Sequence, residues 1–260
     1  MPRRGGVGAA PARIALLAGL AMMLPFWVGS AAAREAAPVI PPSQLPGVEA
    51  HDARHVVDGE AAPWTALGRV QTELGTRCTG TMIAPRVVLT AAHCLVAPRS
   101  GQLVQPGSVH FLLGYHAGNW VAQARATGFR VGPGFEAARR GPPGADWAIL
   151  TLDAAIGVPG RVLPLLRAVP PPGTPLSLGG YQQDRAEVLI ADTTCRALGL
   201  QLVEGVPMLV HGCAGTRGSS GAPVLARQPG GDWAVAGVAV AASLNRAMGI
   251  AVPAASLRPD

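Results

Sequence analysis

The chain has 260 residues and a formal net charge of +6, and 49% of its residues are hydrophobic, 4% aromatic and 14% charged. All 21 basic residues are arginine. They form no run of five, and the few aromatic residues cannot build a base-stacking surface, so we expect no nucleic-acid partner. The length is sufficient for one domain, or two small ones, with a substantial core.

Residues 1–33 have the layout of a secretory signal peptide. Three arginines make the start positive, residues 14–28 are largely apolar, and residues 31–33 are alanines suited to cleavage. The apolar run is short for a membrane-spanning helix, which needs about 20 residues. An uncleaved N-terminal anchor is the alternative. We therefore expect export to the periplasm or the extracellular space, with no stable membrane insertion once the signal is removed.

The remainder of the chain predicts an all-β protein. Residues 34–54 are rich in proline and alanine and predict a pro-segment or a flexible lead-in. After them, short β-rich runs alternate with glycine- and proline-bearing turns, and the Pro-rich residues 157–172 predict a crossover between two halves. The predicted strands are residues 67–73, 78–83, 87–90, 109–115, 121–131 and 148–152 before the crossover, and 174–181, 187–191, 198–203, 208–211, 223–226, 233–241 and 250–252 after it.

Three short strings carry the chemistry. They are Thr-Ala-Ala-His-Cys at residues 90–94, Asp-Trp-Ala-Ile-Leu at 146–150, and Gly-Ser-Ser-Gly-Ala-Pro at 218–223. Each alone has a structural reading: a lone histidine is usually structural, an aspartate before a strand caps a turn, and a Gly-Ser-Ser-Gly string is usually a flexible loop. Together they supply a nucleophile, the base that a serine hydroxyl requires, and a carboxylate to orient that base.

In this order the three strings resemble those of the chymotrypsin-like (trypsin/V8-type) serine protease superfamily, and the resemblance covers about residues 56–253. It implies two packed antiparallel six-stranded β-barrels with the active site in the cleft between them. Residues 55–260 would form the protease domain, with the first barrel at about 55–156 and the second at about 173–253. The resemblance further implies a secreted serine endopeptidase, a monomer acting on protein or peptide substrates without a cofactor or a bound metal.

The family pattern also assigns roles to individual residues. Ser220 would be the nucleophile, His93 the general base, and Asp146 the carboxylate that orients the imidazole. The N–H groups of Gly218 and Ser220 would form the oxyanion hole. Glycines on both sides of the serine pair let the backbone turn tightly and expose the Ser220 hydroxyl.

The substrate pocket is expected to favour small or medium apolar side chains. Trypsin-like members hold an aspartate at the position of Ala214, and glutamate-specific V8-type members hold a histidine at the position of Ala239. This chain has alanine at both, so selectivity for basic or acidic residues is not expected. We interpret His211 as a strand histidine rather than a pocket residue. The predicted lining residues are Ala214, Thr216, Ala239, Val240 and Ala241.

Residues 54–64 are similar to the activation junction of the family. Trypsin-like members free a new N-terminus at this junction and pair it with an aspartate just before the nucleophile. Ser219 occupies that aspartate position here. We therefore expect no ion pair of the trypsin type, even if the segment is trimmed near Arg54.

Four cysteines allow three disulfide pairings. The resemblance implies Cys78–Cys94, beside His93, and Cys195–Cys213, upstream of the nucleophile. A Cys/His metal site is the alternative, but the chain has no C-x-x-C spacing. A calcium site built from scattered oxygen ligands stays open at this stage.

Two other classes of function compete with the protease. A catalytically inactive binding protein of the same fold would typically have lost one of the three catalytic residues, and all three are present. An esterase or lipase of the α/β-hydrolase class would need a G-x-S-x-G elbow and the order Ser, Asp, His, neither of which occurs here.

Overall fold

The computed structural model describes residues 40–257. The expected signal peptide, residues 1–33, therefore lies outside the described residues. The described part contains fourteen β-strands and seven short 3₁₀ helices, and no α-helix. None of its helices is long and apolar enough to cross a membrane.

The first six-stranded unit is a closed antiparallel barrel. The strands pair in the order β2, β3, β4, β7, β6, β5, and β5 returns to pair with β2. Their apolar side chains fill the interior, where Leu89 of β4 and Leu150 of β7 are fully buried. The bounds are β2 Leu67–Thr72, β3 Arg77–Ala84, β4 Val87–Thr90, β5 Val109–Leu113, β6 Ala122–Val131 and β7 Ala148–Leu152.

The remaining strands form an eight-stranded antiparallel sheet in the order β1, β9, β8, β12, β13, β14, β11, β10. The sheet curls until the start of β8 meets the start of β10. There Leu176 N–H donates to the Cys195 carbonyl at 2.8 Å and Ala197 N–H to the Thr174 carbonyl at 2.9 Å. Six strands thus close a second barrel, which β9 and β1 extend. The bounds are β1 His55–Val56, β8 Leu176–Gly180, β9 Ile190–Asp192, β10 Ala197–Val203, β11 Val206–His211, β12 Pro223–Arg227, β13 Trp233–Ala242 and β14 Gly249–Pro253.

The predicted all-β, double-barrel fold is confirmed. Strands β4 and β7 have the predicted bounds, and β1, only two residues long, has no counterpart among the predicted strands. The 3₁₀ helices lie in the connections, and two of them lead into the candidate site. They are Pro42–Gln44, Trp64–Ala66, Ala92–Leu95, Pro106–Ser108, Ala137–Arg139, Pro143–Ala145 and Ala254–Ser256.

Candidate active site

Neighbouring strands bring His93 and Asp146 together. His93 lies in the 3₁₀ helix that follows β4, and Asp146 ends the 3₁₀ helix that precedes β7. Strands β4 and β7 are paired with Thr90 opposite Ala148. Two residues that are 53 positions apart in sequence therefore meet at one end of the first barrel.

Asp146 holds His93 at two points. One carboxylate oxygen lies 2.6 Å from Nδ1 of the ring, and the other accepts the His93 backbone N–H at 2.8 Å. Asp146 is 4% exposed. Because a carboxylate only accepts hydrogen bonds, the ring proton lies on Nδ1, and Nε2 keeps a lone pair that can accept another proton.

A tight turn carries Ser220. Gly218 and Gly221 flank the serine pair with φ of +94° and +77°, a region that side chains rarely adopt. A Cβ on Gly218 would lie 2.2 Å from the Tyr181 carbonyl oxygen, and one on Gly221 would lie 2.2 Å from Oγ1 of Thr90. The turn therefore packs against the end of β4, three residues before His93.

Thr79 of β3 ties this turn to the first barrel. Its N–H donates to the Ser220 carbonyl at 3.0 Å, and its Oγ1 donates to the Gly218 carbonyl at 2.9 Å. The same hydroxyl oxygen accepts the N–H of Tyr181 at 3.0 Å. Thr79 is fully buried, and nothing in the local sequence distinguishes it from an ordinary strand threonine.

The backbone around Ser220 leaves two donors available. The Thr216 carbonyl accepts hydrogen bonds from both the N–H and the hydroxyl of Ser219, at 3.0 and 2.6 Å. Among residues 40–257, by contrast, the N–H groups of Gly218 and Ser220 donate no hydrogen bond. These two groups are the ones that the sequence analysis assigns to the oxyanion hole.

A cavity of about 260 Å³ opens beside Ser220. Four of the five predicted lining residues belong to it: Thr216, Ala239, Val240 and Ala241. The fifth, Ala214, is 1% exposed, and its N–H donates to Asp192 at 2.9 Å. The cavity wall is completed by Pro46, Leu178, His211, Cys213, Gly215, Arg217, Ser219, Ala242 and Leu244.

His211 belongs both to strand β11 and to the wall of this cavity. It is 2% exposed, and its Nδ1 accepts the N–H of Cys213 at 3.3 Å. Burial lowers the pKa of His211 to about 4, against the opposing charge of Asp192. The imidazole is therefore neutral at neutral pH and adds no charge to the cavity.

The segment before β1 also reaches the cavity. Pro46 lines it, and the Gly47 carbonyl accepts the N–H of Gly215 at 2.9 Å. Leu45 and Val48, on either side, are buried. The sequence predicts a pro-segment or a flexible lead-in here, and its proline- and alanine-rich composition offers no signal for these contacts.

Both disulfides implied by the family pattern are present, Cys78–Cys94 and Cys195–Cys213. The sulfurs of the first pair lie close to His93, with candidate ligand atoms within 4.8 Å of one another. Metals bind thiolates, and these sulfurs are bonded to each other. This cluster is therefore not a metal site in the oxidised protein.

Comparisons with known proteins agree with this fold. A family model described as Trypsin matches residues 53–259. The cercarial protease of Schistosoma mansoni is 30% identical over 123 residues, a match that spans 42% of this chain and 45% of that protein. A solved structure of a Glu endopeptidase in complex with MPD superposes with a TM-score of 0.64 at 21% identity, covering 79% of this chain and 93% of that one.

Proposed function

Because the chain belongs to the trypsin family of serine proteases, we propose that it is a serine endopeptidase that cleaves peptide bonds through an acyl-enzyme on Ser220. The observation that carries the proposal is the double contact of Asp146 with the ring and the backbone of His93. This contact orients the imidazole and sets its tautomer before substrate arrives.

The proposed reaction has two halves. In the first, Ser220 Oγ attacks the peptide carbonyl carbon while His93 Nε2 takes the hydroxyl proton. The tetrahedral intermediate collapses, the C–N bond breaks, and His93 returns the proton to the leaving amine. In the second, water attacks the ester carbonyl while His93 takes a proton from the water. The second tetrahedral intermediate then collapses, His93 returns the proton to Ser220 Oγ, and the carboxylic acid product is released.

The N–H groups of Gly218 and Ser220 would stabilise the oxyanion of both tetrahedral intermediates. Backbone donors held in a rigid turn need no reorganisation when charge develops on the carbonyl oxygen. The positive φ of Gly218 and its close approach to Tyr181 support such rigidity. Asp146 would stabilise the imidazolium that forms transiently on His93.

We further propose that the cavity beside Ser220 accepts small or medium apolar side chains. Ala239, Val240 and Ala241 supply an apolar wall, and His211 is neutral there at neutral pH. The rim carries one permanent charge from the described chain, the exposed guanidinium of Arg217. A panel of fluorogenic peptides differing at the residue before the cleaved bond tests this; strong preference for Arg or for Glu would overturn it.

We also propose that the protein is exported. Two disulfides suit an oxidising compartment, and residues 1–33 have the pattern of a cleaved signal. The periplasm or the extracellular space is the proposed location. Intact-mass measurement of protein recovered from culture medium and from periplasmic extract would test both location and cleavage, and an uncleaved chain in membranes would contradict them.

The decisive test of the reaction is labelling with a serine-reactive fluorophosphonate, read by intact mass. Wild-type protein should gain one adduct, and Ser220→Ala and His93→Ala should gain none. Ser219→Ala is the matched control, because Ser219 is adjacent but hydrogen-bonded within its own turn. An unlabelled, folded wild type would favour the inactive binding protein instead.

A further inference from the structure

Arg54 is a buried cation with a complete set of acceptors. Its side chain is fully buried, and it pairs with Asp52 and Asp184 at 2.9 Å each. Burial alone would lower the pKa of Arg54, but the hydrogen bonds to these carboxylates outweigh burial and raise it. Arg185, partly exposed, contacts both carboxylates from outside at 3.5 and 3.8 Å, which balances two negative charges with two positive ones.

One further contact of Arg54 leads towards the nucleophile. Its Nη1 donates to Oε1 of Gln182 at 2.8 Å, and the same oxygen accepts the Thr216 N–H at 2.8 Å. Gln182 is fully buried. A single amide oxygen therefore connects the guanidinium to the backbone four residues before Ser220.

The next residue, Gln183, also contacts residues 216 and 217. Gln183 donates its N–H to the Arg217 carbonyl at 2.7 Å and its side-chain amide to Oγ1 of Thr216 at 3.0 Å. Residues 182 and 183 thus lie along the backbone of residues 216 and 217. Gly218, one of the two candidate oxyanion donors, comes directly after them.

We infer that Arg54 is a positioning residue for the nucleophile turn, which it holds in place through Gln182. The role rests on the proposed function, since the turn carries Ser220 and the candidate oxyanion donors. Arg54 would set the peptide plane between Arg217 and Gly218 by fixing the backbone on its N-terminal side. It touches neither substrate nor reacting atoms, so it acts only through the turn.

The buried positive charge thus belongs to a side chain of the uncut protein and not to a new N-terminus. Ser219 uses its hydroxyl inside the turn and offers no carboxylate to a new N-terminus. Arg54 supplies a buried positive charge without any cleavage. A cut directly after Arg54 would detach that charge from the domain, whereas a cut before Asp52 would leave the whole network intact.

The test compares three variants of the full chain. Gln182→Met removes the bridging oxygen and keeps the ion pairs, and Arg54→Lys keeps the charge but loses the forked geometry. Arg185→Gln is the matched control, because the Arg185 side chain contacts the same two carboxylates and, in the described part of the chain, forms no hydrogen bond or ion pair with residues 214–221. Two readouts apply: amide hydrogen exchange of residues 214–221 and the rate of fluorophosphonate labelling.

Exchange should rise at least tenfold in residues 214–221 for Gln182→Met and Arg54→Lys, while Arg185→Gln stays within twofold of wild type. Strand β13 should keep its protection in all three, since a merely structural role would loosen the whole barrel. Labelling should slow by at least tenfold in the first two variants only. Unchanged exchange in the turn, or equal loosening of β13, would overturn the inference.

The outcomes also separate this inference from the proposed function. A wild type that resists labelling while the turn loosens as expected would refute the protease and leave the positioning role standing. A labelled wild type whose variants react at the same rate would refute the positioning role and leave the protease standing.

Discussion

The carboxylate of Asp146 binds His93 twice, through the ring at 2.6 Å and through the backbone N–H at 2.8 Å. Two contacts fix both the position of the residue and the rotation of its ring. Each contact alone would leave one of these free. The two contacts together therefore hold Nε2 of His93 in one direction.

Replacing Asp146 with asparagine should lower kcat by about 10⁴-fold with little change in fold, because the amide favours the wrong histidine tautomer. The measurement is peptide hydrolysis against pH, with circular dichroism to confirm the fold. Asp153→Asn is the matched control, since Asp153 directly follows β7, the strand that Asp146 precedes, and its carboxylate accepts the backbone N–H of Arg125 at 3.0 Å. Equal losses in both variants would contradict the assigned role.

Gly218→Ala should reduce turnover by about 100- to 1000-fold, the loss typical of one missing oxyanion donor. A Cβ there would meet the Tyr181 carbonyl at 2.2 Å, so the turn must shift its N–H. Gly173→Ala is the control, with a similar φ of +84° and no heavy atom within 4 Å. Turnover that falls equally in both would point to backbone strain rather than a displaced donor.

Gly47→Ala should alter the substrate pocket. Gly47 has φ of +78°, and a Cβ would lie 2.0 Å from the Gly215 carbonyl oxygen, so the segment must move away from the pocket wall. We expect KM to change at least fivefold, with a smaller effect on kcat. Gly75→Ala serves as control, with φ of +88° and open space around it. A KM equal to that of wild type would show that the segment does not shape substrate binding.

Removing either disulfide should destabilise the fold by about 3 kcal/mol, the chain-entropy estimate for loops of this length. The sequence separations are 16 and 18 residues, so the two losses should be similar. Urea unfolding of the Cys78→Ala/Cys94→Ala and Cys195→Ala/Cys213→Ala double variants measures this. Only the first pair adjoins His93, and we expect its removal to slow labelling of Ser220 more than the second.

Stability should fall as the pH drops from about 6.5 to 4 because of His211. Burial lowers its pKa to about 4 in the folded protein, so the unfolded chain binds a proton throughout this range while the folded one does not. The resulting loss in the free energy of unfolding is roughly 3 kcal/mol below pH 4.

His211→Phe should remove most of this pH dependence in urea unfolding between pH 4 and 7.5. His116→Phe, the same replacement at an exposed histidine, is the matched control. If the slope of wild type persisted in His211→Phe, another group would have to account for it.

Much of the fold could be predicted from local patterns. Strands β4 and β7 appear in the sequence as short apolar runs bounded by turn residues, and their predicted bounds match. The short β1 escaped prediction because two residues cannot express a period. Its place beside β9 depends on long-range pairing, with His55 opposite Ala191.

The residues that carry the proposed chemistry can be recognised in the sequence: a histidine, an aspartate and a serine, each in a short string whose backbone conformation depends on its neighbours. The tight turn could be predicted from Gly218 and Gly221 without any tertiary information. Such features depend on residues within a few positions of each other, and a single sequence displays them directly.

Which groups are buried, and which groups they contact, could be read only from the folded structure. Arg54 stands in an unremarkable polar stretch, yet it meets Gln182 from 128 positions away. His211 looks like any strand histidine until burial beside the cavity makes it neutral. Burial and charge pairing arise from contacts between segments that are distant in the sequence, and those contacts exist only in the folded chain.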